Sequence, residues 1–504
     1  MRTLYIALRF LPLALSFRRD FRRWILWGQP MRRTGAFHER RAALLARTVA
    51  GLGPSFVKLA QVFAARADLI PEPYLGALGT LLDRVPPAPW AAVEAELRAS
   101  YGRDPDEIFD GLEREPLAAG SLGQVYRARL GGEDVVVKVL RPGVEHVVER
   151  DLASALSIAR VVERHWPNPH VRGFRSAVEE FQRRVGDEMD FRLEAEHARE
   201  IGKSLAGDRR VIVPRVHHEL TRQRAMVMEY VEGTRVDHAA PLLAAGRIPP
   251  DAVVRTVMEL YIQMMLMDGL FHADPHPGNL LVREDGRVVL LDFGMCVRVP
   301  AELRARLVRT VMAAIRKDAD AVADGFHALG IVADGADPAE IRRLTRLLLE
   351  LAYSGAAPQE AARVLAEEVV RTLYDWPIVL TGEMVYFARA AALIEGLGTR
   401  FVPGFNSITF ATPVVLRHRR AILATLQIGD GPPVTPDDWA RALGALVGDA
   451  TRIVVGAGRE LAAVVGTGLA GLLAGARIPS LAPPPRELVG ELTGELTREL
   501  TGAS

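Results

Sequence analysis

The sequence predicts an α+β chain in which a small antiparallel sheet precedes a helical body. Two stretches carry the sheet, Gly123-Gln124-Val125-Tyr126-Arg127-Ala128 and Glu133-Asp134-Val135-Val136-Val137-Lys138-Val139, both patterned as strands. The helical body is marked by Pro300-Ala301-Glu302-Leu303, where a proline suited to a first helical turn opens an amphipathic run. Over 504 residues, 49% apolar and 25% charged residues exclude a disordered or collagen-like chain. The net charge of +1 gives no global sign of a nucleic-acid partner. Cys296 is the single cysteine, so neither an internal disulfide nor a cysteine-rich zinc site is available.

Read from the N-terminus, the near-zero total conceals a gradient. Residues 1–50 hold eleven arginines against two acids, a net +9, interleaved with Phe17, Phe21, Trp24 and Trp27. Arginines beside aromatic residues on a helix suit an anionic membrane surface. An organelle-targeting peptide and an amphipathic helix packed on its own domain are the competing readings. At the other end, residues 453–478 are apolar and Gly/Ala-rich, but the uninterrupted stretch Leu461 to Ala476 is 16 residues. Spanning a bilayer takes about 20. The expected organisation is a basic segment over 1–50, a helical extension over 51–115, an N-lobe with inserted helices over 116–233, a helical C-lobe over 234–410, and C-terminal helices and tail over 411–504.

The middle of the chain carries the chemistry. In Ala118-Ala119-Gly120-Ser121-Leu122-Gly123-Gln124-Val125 small side chains let backbone amides approach phosphates. Lys138 sits among valines on the following strand, where an ammonium is costly unless it meets an anionic partner. Next, Met228-Glu229-Tyr230-Val231-Glu232-Gly233 resembles the hinge between two lobes, with Glu229 and Val231 placed to hold adenine. Asp274 and Asn279 keep the D-x4-N spacing of a catalytic loop, and Asp292-Phe293-Gly294 follows an apolar strand. Asn279 and Asp292 are the expected oxygen ligands of Mg²⁺, Asp274 the catalytic acid, and ATP the nucleotide. In this order and spacing the motifs predict a bilobal protein-kinase-like fold. Two features depart from an ordinary protein kinase. Only Met295-Cys296-Val297-Arg298-Val299 separates Asp292-Phe293-Gly294 from the next helix, so the platform for a peptide substrate is missing. The glutamate expected to pair with Lys138, Glu188, also lies fifty residues beyond it.

Together these residues resemble the UbiB family of atypical kinase-like proteins, also called aarF-domain or ADCK kinases. The resemblance runs roughly from Gly51 to Asn406, and its family-specific part is Lys58-Leu59-Ala60-Gln61, similar to the K-x-G-Q element, with Ala60 in place of glycine. By resemblance, Lys138 contacts ATP phosphates and pairs with Glu188. Asp190 completes an E-x-D element, and Glu194 pairs with Lys58 to fasten the extension bearing Gln61 over the cleft. The family loop is typically A-A-A-S, whereas this chain has Ala118-Ala119-Gly120-Ser121. The family often ends in two transmembrane helices, and this sequence offers at most one marginal segment.

The function implied is a Mg-ATP-dependent atypical kinase or ATPase acting at a membrane in isoprenoid-lipid, ubiquinone-like biosynthesis or its regulation. Its expected partners are an isoprenoid or quinone lipid or an anionic membrane surface, with biosynthetic-complex proteins and without nucleic acid. The expected location is the cytoplasmic side of a bacterial inner membrane, or the mitochondrial inner membrane in a eukaryote. A small-molecule phosphotransferase of the aminoglycoside-kinase type and a nucleotide-binding pseudokinase scaffold are the alternatives.

Overall fold

The computed structural model describes residues 2–27, 35–64, 73–79, 81, 86–165, 169–332, 335–353, 382–403 and scattered positions between 405 and 424. The stretch 453–478 lies outside the described residues. Among the described residues no helix is long and apolar enough to cross a membrane.

The N-lobe sheet is built around β3 (Gly123–Leu130) and β4 (Glu133–Leu140), paired antiparallel from Gly123↔Leu140 to Leu130↔Glu133. Gly131 and Gly132 make the turn with φ of +57° and +85°, the double positive φ that a two-residue hairpin matching strand twist requires. β1 (Gly111–Leu112) and β2 (Ala118–Ala119) pair with β3, and β6 (Ala225–Glu229) completes the sheet on the far side of β4. Strand parity then sorts the side chains. Val135, Val137 and Val139 face a buried cluster with Val93 and Leu97 of α5 (Trp90–Tyr101). Val136, Lys138 and Leu140 point to the opposite face, where Val136 and Leu140 share the main core with Phe191.

After β4 the chain makes α6 (Val144–His165) and α7 (Pro169–Glu188), which pack on each other, before α8 (Phe191–Ser204) lies on the sheet. Asp190 starts α8 as its N-cap, accepting from the Arg192 amide at 3.0 Å. The Phe191 amide donates to Gln223 O at 2.9 Å, which ties this helix start to the segment leading into β6.

The N-terminal extension forms α1 (Arg2–Trp27), α2 (Gly35–Ala50), α3 (Pro54–Ala64) and α4 (Tyr74–Gly79). Arg2 of α1 bonds Asp151 of α6 through two nitrogens, at 2.8 and 2.9 Å, while Ile6 and Leu13 are buried. One face of the basic helix therefore packs on its own chain. Its other face leaves Leu4, Leu8, Leu11 and Leu15 exposed at helical spacing.

In the C-lobe, α10 (Pro250–Ile262) continues into a π-helical turn, Gln263–Asp268, that ends at Gly269 with φ +78°. β8 (Leu270–His272) leads into the Asp274 loop. β9 (Leu280–Val282) and β10 (Val288–Leu290) form a hairpin turning at Gly286, φ +83°. β11 (Cys296–Arg298) returns antiparallel to β8, and α11 (Ala301–Ile315) begins behind Pro300. A later helix, here α14 (Gly382–Phe401), packs on α10.

Candidate active site

A cleft of about 200 Å³ opens between the lobes, lined on one side by Ala118, Gly120, Ser121, Gly123 and Val125 and on the other by Asp274, Asp292 and Gly294. Lys58, Lys138, Glu188 and Glu194 also line it, whereas Ala119, Asp190, Glu229, Val231 and Asn279, which bonds Asp274 from behind the lining, do not. Gln61 lies at a position whose side chain is outside the described residues.

The small-residue loop is a tight turn. The Gly120 amide donates to Gly123 O at 2.9 Å, and Arg141, from the end of β4, donates to Gly120 O at 2.8 Å. The two glycines differ. A Cβ at Gly123 would come within 3.1 Å of Val139 O and 3.4 Å of the Phe191 ring, so this backbone approach needs glycine. At Gly120 a Cβ would meet only Gly123 O, at the ordinary distance of 3.5 Å, so the turn accepts alanine there.

The lysine pairings differ from those expected. Lys138 Nζ lies 2.7 and 2.8 Å from the two oxygens of Glu194, and Lys58 Nζ lies 3.0 Å from Glu188. The expected assignment, Lys138 with Glu188 and Lys58 with Glu194, is therefore exchanged. The cause is the helix break at Met189-Asp190. Glu188 ends α7, which packs on α3 and so meets Lys58. Glu194 falls in the first turn of α8, which packs on β6 beside Lys138. Asp190 is taken up by capping α8 and by Arg192, 2.6 Å away, rather than by the tether.

Asp292 adopts φ +59°, the left-handed region that costs a non-glycine residue about 1–3 kcal/mol. Three contacts hold it there. His272 Nε2 lies 3.0 Å from Leu291 O and 2.6 Å from Asp292 O. Carbonyls only accept, so this nitrogen carries the proton. The Gly294 amide donates to Asp292 Oδ1 at 3.2 Å. Lys138 reaches the same oxygen at 3.3 Å. Burial works against ionising Asp292, but Lys138, Lys58 and His272 outweigh it and hold the carboxyl well below the usual carboxylate range. Lys138 is in turn held as an ammonium against burial by Asp292 and Glu194.

Asn279 Nδ2 donates to Asp274 O at 3.1 Å and to Asp274 Oδ2 at 3.2 Å. That leaves the amide oxygen of Asn279 as an acceptor. Leu291 N donates to Asn279 O at 2.8 Å, linking the catalytic loop directly to the strand that delivers Asp292. Amide and carboxylate oxygens such as those of Asn279 and Asp292 are the hard donors that would suit Mg²⁺, with phosphate and water to complete its shell. Arg389 of α14 donates to Asp274 Oδ1 at 2.7 Å. Arg141 and Arg389 lie outside the sequence motifs. For Arg389 a signal existed, a lone cation inside the apolar run Tyr386-Phe387-Ala388-Arg389-Ala390-Ala391.

Cys296 follows this loop, and burial first, then the charges of Glu194 and Asp292, push its thiol up. Alkylating reagent at pH 8 is therefore expected to leave the folded chain unmodified and to react once denaturant is added, read by intact mass. Modification of the folded chain at the unfolded rate would contradict this environment.

A profile of the ABC1 atypical kinase-like domain matches residues 80–325. The protein sll0095 of Synechocystis, uncharacterized by its name, is 33% identical over 390 residues, covering 75% of this chain and 67% of that protein. The chain belongs to the ABC1 atypical kinase-like family. Another ABC1 relative is the chloroplastic protein ACTIVITY OF BC1 COMPLEX KINASE 3 of Arabidopsis thaliana, 32% identical over 74% of this chain and 53% of that protein. The chain thus spans about half to two thirds of the length of these relatives. A solved ABC1-like neighbour, from the Rv3197-erythromycin complex of Mycobacterium tuberculosis, aligns with a TM-score of 0.49 at 25% identity, over 74% of this chain and 98% of that one. The family match agrees with the expected α+β, kinase-like fold, and the protein is kinase-like, of the UbiB/ABC1 type.

Proposed function

We propose that this chain binds Mg-ATP in the cleft and transfers or hydrolyses its γ-phosphoryl group at a membrane surface, in isoprenoid-lipid metabolism or its regulation. The observation that carries the reading is the joint approach of Lys138 to Glu194 and Asp292, opposite the Asp274–Asn279 pair. Phosphoryl transfer asks a protein mainly to position groups and neutralise charge, and this set supplies both. A bound Mg²⁺ would share phosphate charge from Asn279 and Asp292. Lys138 would exchange its carboxylate partners for phosphate oxygens, and Asp274 would orient the acceptor. Lys58 lines the cleft paired with Glu188, and the peptide platform after Gly294 is absent. Both favour water or a small lipid acceptor over a protein substrate.

The membrane part of the reading is supported by α1. Leu4, Leu8, Leu11 and Leu15 are 64%, 57%, 47% and 53% exposed, an apolar stripe on one face, and the sequence that follows carries Arg18, Arg19, Arg22 and Arg23. The isoprenoid part rests on the family resemblance. The test is phosphate release from Mg-ATP by the full chain, alone, with vesicles containing anionic phospholipid, and with an added polyprenylated phenol. Stimulation by both additions is expected. Lipid-insensitive transfer to a soluble hydroxylated compound would favour the small-molecule phosphotransferase, and nucleotide binding without turnover the scaffold.

A further inference from the structure

The acid of the catalytic loop has no cation in its own loop. Within Asp274-Pro275-His276-Pro277-Gly278-Asn279 the His276 ring is used locally, its Nδ1 accepting from the Gly278 amide at 3.0 Å. The cation at Asp274 comes instead from 115 residues downstream, where Arg389 Nη2 donates to Oδ1 at 2.7 Å. Asn279 holds the other oxygen. Both oxygens are thus engaged by the chain, and the bond from Arg389, in which donor and acceptor are both charged, is the stronger of the two.

The helix that brings Arg389 is braced against the same loop. The Phe387 ring stacks on Phe271, with centroids 5.2 Å apart and planes 19° from parallel. Phe271 belongs to β8, which leads into Asp274. Tyr386 and Ala390 are buried on either side of the pair. One turn of α14 therefore grips both the strand that delivers the acid and the acid itself. Fully buried Tyr261 of α10 has a hydroxyl without a hydrogen-bond partner among the described residues, so it does not compete for the carboxylate.

We propose that Arg389 is a positioning residue for phosphoryl transfer, fixing the Asp274 carboxylate in the orientation that meets the acceptor. It is not among the residues that line the cleft, and it would act through Asp274. A misplaced catalytic group typically costs up to about 10²-fold, with binding of the other substrate unaffected. The inference rests on the phosphoryl-transfer reading above.

The test compares wild type, Arg389→Gln, Arg389→Lys, Asp274→Asn and the Asp274→Asn/Arg389→Gln double variant, as full chains. The readouts are steady-state Mg-ATP hydrolysis and affinity for a fluorescent ATP analogue. Arg389→Gln is expected to lower kcat about 10–100-fold while nucleotide Kd moves less than about twofold, and Arg389→Lys to recover most of the loss. In the Asp274→Asn background Arg389→Gln should cost less than about twofold more, because the group it positions has gone. An equal loss in both backgrounds, or a lost nucleotide affinity, would make Arg389 a structural residue and overturn the proposal. So would an unchanged kcat in Arg389→Gln. If Arg389→Gln fails to fold, Arg389→Lys carries the test, and a loss in it as large in the Asp274→Asn background as alone would overturn the proposal. A wild type that binds the analogue but never turns over ATP would overturn the phosphoryl-transfer reading, and this one with it.

Discussion

Replacing Glu194 by glutamine is expected to lower kcat/KM for Mg-ATP hydrolysis by about 10²–10³-fold, a larger loss than Glu188→Gln produces. The lysine proposed to meet phosphate is Lys138, and Glu194 holds it through both oxygens, at 2.7 and 2.8 Å. Glu194 is 3% exposed and its lysine 18%. Removing one member of such a pair leaves a charge without its partner and costs about 3–5 kcal/mol. Asp292, at 3.3 Å, would then take up Lys138 and be drawn from its proposed metal-ligand role. Steady-state kinetics on the two variants decide between the pairings. A Glu188→Gln variant with the greater loss in kcat/KM and nucleotide affinity would instead support the pairing of Lys138 with Glu188.

The second large effect concerns the tether. Lys58→Ala leaves Glu188, 9% exposed, without its counter-charge. We expect a stability loss of about 3 kcal/mol in urea unfolding, because a carboxylate in that position must either stay charged and unpaired or take up a proton. Adding Glu188→Gln to the same chain should recover most of it, since a neutral amide needs no cation. The single variant should also gain autophosphorylation, because a side chain that lines the cleft has been cut back. A double variant as unstable as Lys58→Ala would show that the lysine packs rather than pairs.

Much of this site was legible because it depends on short-range rules. Parity along β4 places Lys138 opposite Val137 and Val139, so a lysine among valines had to face a cleft or a partner. The spacing of Asp274 and Asn279 lies within one loop, and Asp292 follows directly from a strand end. Hairpins at Gly131-Gly132 and Gly286 follow from backbone chemistry that few other residues satisfy. What escaped depends on which helix packs where. Glu188 and Glu194 are six residues apart and chemically alike, and only the break at Met189-Asp190 assigns them to different helices. Arg389 and Arg141 act through contacts set by tertiary packing, and Arg389 reaches Asp274 across 115 residues. The basic first helix shows the same limit. Its periodicity predicts an apolar face, yet packing decides that Ile6 and Leu13 are buried while Leu4 and Leu8 stay exposed.

The central claim is that the cleft turns over Mg-ATP through Asp292. Phosphate release by the full chain, wild type against Asp292→Asn, with anionic vesicles present, tests it most directly. The account predicts steady turnover in wild type and a loss of at least about 10³-fold in the variant, which still folds because the amide keeps the shape of the carboxylate. Turnover in Asp292→Asn within a few-fold of wild type would contradict it.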